Sequence, residues 1–300
     1  MPELPEVEIT ARLLDGALAG AEIQSALAPG INALKTFDPP LSELQGRHIE
    51  RVRRRGKHLI LDTDAGLSLL LHLMSAGRLQ LYDKHAGPRD RTSRLLVRVG
   101  RAPAGPMAEQ LGEAGERPPA ERELRLREFG TKQAAWVKLL PTEELEQDPS
   151  LAGLGPEAWP QPPPLGELLD APRPLHALLR DQHVIAGIGR SWVDEIVWEA
   201  QLSPYKRGAD LEEVEIVRLQ GAIVGTLGRA ISHYEQVVSL PIPDKLPMPL
   251  RVHRHEGEAC PRCGHTLKAV HFEDYVIAYC PHCQTDGRVL KDRRLSRLLR

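Results

Sequence analysis

The sequence predicts an α+β protein: an N-terminal β-sandwich carrying one N-terminal helix, then a helical domain that ends in a zinc-finger β-hairpin. Three observations carry this expectation. Apolar residues near the start recur at helical spacing, Val7, Ala11, Leu14 and Leu18, with Gly20 where a helix stop belongs. Short apolar stretches follow, "HIERV", "HLILDT", "LSLLLHLM", "RLQLY" and "SRLLVRV", and "LREFGTKQAAWVKLL" supplies the last strands. The four cysteines of the chain form two C-x-x-C pairs near its end.

Composition sets the domain limits. Residues 1–140 hold the helix and the strands, and 101–121, rich in Pro, Gly, Ala and Glu, read as a surface loop between strands. Residues 141–174, with "WPQPPP", read as a Pro-rich linker. Residues 175–240 are helical: "RPLHALLRDQ" and "RSWVDEIVWEAQL" flank the Gly-punctuated "IAGIG". Asp210 with Glu213 forms a capping-box signature for a longer helix through about Gln236. Residues 250–284 contain the cysteine pairs, and 285–300 form a basic tail.

At 300 residues, 41% hydrophobic and 27% charged, the chain fits a globular protein of two domains, each burying its own core. Its longest apolar run, "LSLLLHLM", is too short to cross a bilayer, and Glu3 and Glu6 do not fit a secretory leader, so a cytoplasmic protein without membrane contact is expected. The net charge of −2 gives no global signal for nucleic acid, but its distribution does. Arg47 to Lys57 holds six Lys/Arg against one Glu, the last fifty residues ten against six, and 101–170 seven against thirteen. Two basic zones around an acidic middle suit a local face for an anionic ligand; a charge run by itself is more often plain solvated surface.

Cys260 and Cys263 in "CPRC", and Cys280 and Cys283 in "CPHC", are separated by sixteen residues. Two knuckles joined by a hairpin present four thiolates, the tetrahedral set that one structural Zn2+ prefers. Redox pairs or disulfides are the competing readings, and a cytosolic chain disfavours disulfides. Four cysteines close the shell, so His265, His271 and His282 read as surface or DNA-facing residues.

Together these residues resemble the formamidopyrimidine-DNA glycosylase / endonuclease VIII family of base-excision repair enzymes. The matching stretches are "PELPEVE", "RRRGKHLIL", "HLMSAGRL", "REFG", "IAGIGRSWVDEI" as a helix–two-turns–helix element, and "RVHRHEGEACPRCG". The resemblance implies a bifunctional DNA glycosylase and apurinic/apyrimidinic lyase that removes oxidised bases. Pro2, exposed by loss of Met1, would be the nucleophile forming an iminium, Glu3 the general acid, and Lys57 a phosphate contact beside the reacting nucleotide. It further implies DNA contacts at His72, Met74, Ser75, Phe129, Arg190 and Tyr275. The expected partner is damaged double-stranded DNA, with single strands open, bound by a monomer in a bacterial cytosol.

Four positions depart from the family pattern. Ser75 stands where a methionine is expected, with Met74 one residue early, and Glu128 stands where an arginine is expected before Phe129. Arg190 replaces an asparagine, and Tyr275 replaces a hairpin arginine. These departures touch the phosphate clamp and the wedge rather than the chemistry. They motivate one alternative, a family member that binds damaged DNA without cutting; the near-neutral pI of about 6.6 supports another, a zinc-stapled protein-interaction module with no DNA role.

Overall fold

The structure, a computed structural model, describes residues 2–30, 32–86, 90–100, 102, 121–129 and 133–291. The chain divides into two compact units, Met1–Ala152 with Tyr234–Leu246, and Gly153–His233 with Pro247–Arg300.

In the first unit, helix α1 (Leu4–Leu18) starts at Glu3, which caps it in an extended conformation; Pro5 in the first turn needs no amide partner. The capping box is reciprocal: Glu6 reaches back to the Glu3 amide while the Glu3 side chain accepts from the Glu6 amide. Leu4, Val7, Leu14 and Leu18 are fully buried, each worth roughly 1.5–3 kcal/mol relative to exposure. The helix stops at Ala19, and Gly20 takes the left-handed conformation (φ 79°) that turns the chain into the first strand.

Two four-stranded antiparallel sheets follow, with strand orders β1-β6-β7-β5 and β2-β3-β4-β8. The strands are β1 (Ile23–Leu27), β2 (Ile49–Arg55), β3 (His58–Thr63), β4 (Leu67–His72), β5 (Gly77–Tyr82), β6 (Ser93–Val99), β7 (Arg122–Glu128) and β8 (Trp136–Pro141). Leu95, Val97 and Val99 on β6, and Leu124 and Leu126 on β7, alternate with residues on the opposite face, the period of two that a pleated strand imposes. Strand β3, buried along its whole length, lies between β2 and β4, and α1 packs on β2 and β3. Asp15 on α1 accepts the Val52 amide at 2.7 Å, and Glu8 pairs with Arg54 at 2.9 Å, which ties the helix to the edge strand β2. Strand β1, "IQSAL", has too little apolar alternation to have been identified in the sequence.

The second unit contains α3 (Leu165–Leu169), α4 (Leu175–Arg180), α5 (Arg190–Glu199) and most of α6 (Glu213–Val237). It closes with the hairpin β9 (Lys268–His271)–β10 (Val276–Tyr279) and α7 (Pro281–Thr285). The last turn of α6 and the residues after it belong to the first unit, where Tyr234 is fully buried, Glu235 pairs with Arg12, and Gln80 donates to the Ile242 carbonyl at 2.6 Å.

Two expectations are corrected. The 141–174 stretch does contain the boundary between units, between Ala152 and Gly153, but it is not only a linker: it holds a 3-10 helix (Thr142–Gln147), α2 (Pro149–Ala152) and α3. Leu145, Leu151, Leu165 and Leu169, spaced among the prolines, are buried and hold each half against its own unit. The cap of α6 is Glu212, whose amide donates to Glu215 at 2.9 Å, while Asp210 pairs with Arg207. The 103–120 part of the expected loop, and tail residues 292–300, lie outside the described residues.

Candidate active site and nucleic-acid interface

The N-terminus is held by carboxylates. Pro2 is half-buried directly ahead of Glu3, which is 2% exposed. One oxygen of buried Glu6 accepts the Glu3 amide at 2.8 Å, and the other accepts the Tyr234 hydroxyl at 2.6 Å. Burial, followed by the charges of Glu6 and Glu3, pushes the Tyr234 phenol far above its ordinary value, so it remains a proton donor. The residue behind Glu3 and Pro2 is thus pinned from a helix more than two hundred positions away. Tyr234 was missed in the sequence because a lone tyrosine in "SHYEQ" looks like any helix residue.

Lys57, 7% exposed, closes the tight turn between β2 and β3, where Gly56 takes φ 56°. His58 and His72 face each other across β3 and β4, with ring centroids 4.6 Å apart, and Trp136 stacks on His72 at 5.8 Å. Burial, then the neighbouring charge of Lys57, lowers His72 to about 4, and burial, then His72, lowers His58 to about 3. Both are neutral near pH 7. The Met74 amide donates to His72 Nδ1 at 3.0 Å, so the proton of the neutral ring sits on Nε2, which is free to donate.

Met74 adopts a left-handed conformation (φ 49°) in the turn between β4 and β5, followed by exposed Ser75. Phe129, 43% exposed, follows the last residue of β7, with the Arg127 guanidinium 4.5 Å above its ring. Glu128 is fully buried: it accepts the Ala135 amide at 2.9 Å and lies 3.8 Å from Arg94. Glu128 therefore faces the interior, and the arginine beside the exposed phenylalanine is Arg127, one residue earlier than expected. Period-two alternation after Leu126 would have revealed this. Part of the basic run on β2 is engaged in ion pairs: Arg51 and Arg53 share Asp62 at 2.7 Å, and Arg54 binds Glu8.

In the second unit, Arg190 opens α5 and donates to both the carbonyl and the carboxylate of Asp274 at 2.6 Å. Its guanidinium lies 5.5 Å from the ring of Tyr275, which stacks on Phe272 at 4.4 Å. Two acids that the sequence reading passed over brace this unit. Glu195 accepts the amides of Arg251, Val252 and His253 at 3.1, 2.9 and 2.9 Å, and burial raises its carboxyl. Asp194 contacts the His253 ring at 2.7 Å and accepts the Ala278 amide at 3.0 Å. Together they fix α5 to the segment entering the hairpin.

The four cysteine sulfurs lie within 4.8 Å of one another, with Cys260–Cys283 at 4.0 Å and Cys263–Cys280 at 3.5 Å. A zinc ion with Zn–S bonds of about 2.3 Å needs sulfurs roughly 3.8 Å apart, so the cradle fits one tetrahedral structural Zn2+. The Trp198 indole N–H donates to Cys260 Sγ at 3.3 Å, a supporting bond of the kind that orients a thiolate ligand. Exposed His265 and His282 stack at 4.2 Å beside the site, and His271 pairs with Glu256.

Residues 1–106 match the formamidopyrimidine-DNA glycosylase N-terminal domain, 165–241 the formamidopyrimidine-DNA glycosylase H2TH domain, and 257–285 the zinc finger found in FPG and IleRS. A sheet-bearing N-terminal unit, a helix–two-turns–helix element and a zinc hairpin, in that order, define a zinc-finger DNA glycosylase. The chain belongs to the formamidopyrimidine-DNA glycosylase family. It is 30% identical to the formamidopyrimidine-DNA glycosylase of Desulfitobacterium hafniense, over 95% of this chain and 100% of that one. It is also 30% identical to that of Thermus thermophilus, over 96% and 100%. Among solved structures it resembles the Lactococcus lactis Fpg in complex with abasic-site DNA, at 25% identity and TM-score 0.78, covering 94% of this chain and 99% of that one. The L. lactis protein bound to DNA containing N7-benzyl-Fapy-dG gives 26% identity and TM-score 0.77, with 95% and 100% covered.

Proposed function

We propose that the chain is a base-excision repair DNA glycosylase with apurinic/apyrimidinic lyase activity, using the Pro2 amine as nucleophile. The observation that carries this is the anchoring of the residues behind Pro2: Glu6 holds the Glu3 amide and Tyr234 at once. Relatives that share the full length are named formamidopyrimidine-DNA glycosylases, and solved relatives hold DNA with abasic or formamidopyrimidine lesions.

After loss of Met1, the Pro2 nitrogen attacks C1′ of the damaged nucleotide and the base leaves with the glycosidic electron pair. The ammonium formed by attack gives up its N–H proton, the departing base takes one up, Glu3 protonates the sugar ring oxygen as the ring opens, and the freed nitrogen lone pair completes a cationic iminium. The iminium accepts the electron pair of the C2′–H bond, so the 3′ phosphate and then the 5′ phosphate depart by elimination. The amine must be unprotonated to attack; an ordinary α-amino group titrates near ~7.7–8.0, and the positive end of α1 disfavours its cation. Lys57 and neutral His72, the latter through Nε2–H, bind flanking phosphates, and Met74, Ser75 and Phe129 occupy the gap of the displaced base. Arg190 and Tyr275 contact the backbone from the second unit. The zinc supplies no step; it holds the hairpin in shape.

The substrate is damaged duplex DNA, bound by a monomer in the cytoplasm. Among the described residues, no helix is long and apolar enough to cross a membrane.

Borohydride trapping tests the reading. With duplex DNA carrying an abasic site, reduction should yield a covalent adduct located at Pro2 by mass spectrometry. DNA binding without an adduct would instead identify a non-cutting damaged-DNA binder, an alternative favoured by the ion pairing of Arg190 with Asp274.

A further inference from the structure

Two guanidinium groups converge on the ring of Tyr275. Arg190 lies 5.5 Å from its centroid and Arg180, at the C-terminal end of α4, lies 4.2 Å from it. Only one of them is matched by a carboxylate. Asp274 takes Arg190 through two hydrogen bonds, whereas no acid among the described residues pairs with Arg180. Arg180 Nη1 is shielded from solvent and has no hydrogen-bond partner among the described residues. Burying a cationic donor without an acceptor costs several times an ordinary hydrogen bond, so an anion brought to this guanidinium would be held strongly.

The surroundings hold Arg180 in place without neutralising it. Tyr275 is stacked in parallel on Phe272 at 4.4 Å and on the buried His176 ring at 5.8 Å, and so forms a rigid platform. A guanidinium laid on such a platform keeps its charge, gains cation–π attraction and is fixed in orientation. The His176 ring, neutral or cationic, has no negative charge to offer Arg180, and burial, followed by the charge of Arg180, holds it toward the neutral form. Asp194 is already engaged by His253 and the Ala278 amide, with His176 within 3.3 Å.

We propose that Arg180, held on the Tyr275 ring, is a phosphodiester-binding residue of the second unit and supplies the free cation that Arg190, tied to Asp274, does not. The ligand is a backbone phosphate of the DNA strand, read by charge and not by base, and Tyr275 positions the guanidinium without itself carrying charge. This rests on the reading of the chain as a DNA-binding enzyme.

The test uses the full zinc-loaded protein and a duplex with an uncleavable abasic-site analogue, with affinity measured from 50 to 200 mM salt. Arg180→Gln should weaken binding several-fold and reduce the slope of log K against log salt by about one, the signature of one lost phosphate contact. Tyr275→Phe keeps the ring, and with it the placed Arg180 cation, so its salt slope should equal that of the unaltered protein whatever the hydroxyl contributes to affinity. Tyr275→Ala should lose affinity, and adding Arg180→Gln to it should cost little more. Tyr275→Arg in the Arg180→Gln background should restore the slope. A slope unchanged in Arg180→Gln, with zinc content intact, overturns the proposal. Borohydride trapping on a natural abasic site, run in parallel, separates the failures: an adduct with an unchanged slope sinks the Arg180 site alone, and absence of both adduct and binding in the unaltered protein sinks the functional reading and the site with it.

Discussion

Glu6 and Tyr234, 228 positions apart in sequence, are joined by a 2.6 Å hydrogen bond inside the first unit. The same carboxylate holds the amide of Glu3, so the last turn of α6 and the first turn of α1 share one acceptor. The N-terminus is thereby attached to the protein core.

Replacing Tyr234 with Phe leaves the ring but removes the donor to a buried carboxylate, at a cost of about 1–3 kcal/mol. The expected result is a lower unfolding midpoint, with a larger proportional drop in trapping rate than in DNA affinity, because the loosened group lies behind the nucleophile. Denaturant melts and single-turnover trapping on the same variant check this.

Pro2→Gly, or retention of Met1, should abolish base release and strand cutting and leave DNA affinity within a few-fold of the original. Glu3→Gln should slow base release and retain binding. Normal cleavage by Pro2→Gly would falsify the N-terminal mechanism.

Zinc removal should unfold the hairpin and weaken DNA binding, because four closely packed thiolates cannot stay together as anions without the metal. The first unit, with its own core, should keep its strand signal. Circular dichroism and binding at known zinc content, before and after chelation, measure both.

The paired histidines make stability pH-dependent. In the unfolded chain they titrate near ~6.5; folded, His58 is lowered to about 3 and His72 to about 4. As pH falls below ~6.5 the unfolded chain takes up protons that the folded one refuses, so stability is full above that pH and falls as pH drops toward 4. For His58 the loss between pH 7 and pH 4 should be about 2–3 kcal/mol. His58→Phe should flatten the dependence in urea melts across this range.

Leu14→Ala on α1, at a fully buried position, should destabilise the first unit by roughly 2–5 kcal/mol. Thermal melts of the variant measure it.

What the sequence determined by itself was whatever is written in local spacing. The apolar period of Val7 to Leu18, the alternating strands and the two C-x-x-C pairs each constrain residues near one another in the chain, and those elements stand where the spacing put them. The tertiary structure alone decided the partners. Arginines in "RVRRR" read as a free cationic run, but folding brings Asp62 and Glu8 onto three of them. Glu128 and Arg127 exchange expected roles because strand pleating turns one inward and the next outward. Tyr234 behind Glu6, Asp274 on Arg190 and Arg180 on Tyr275 are pairings across tens to hundreds of positions. Local patterns specify which face of an element is apolar; which charge meets which is settled only when separate elements pack and water leaves the space between them.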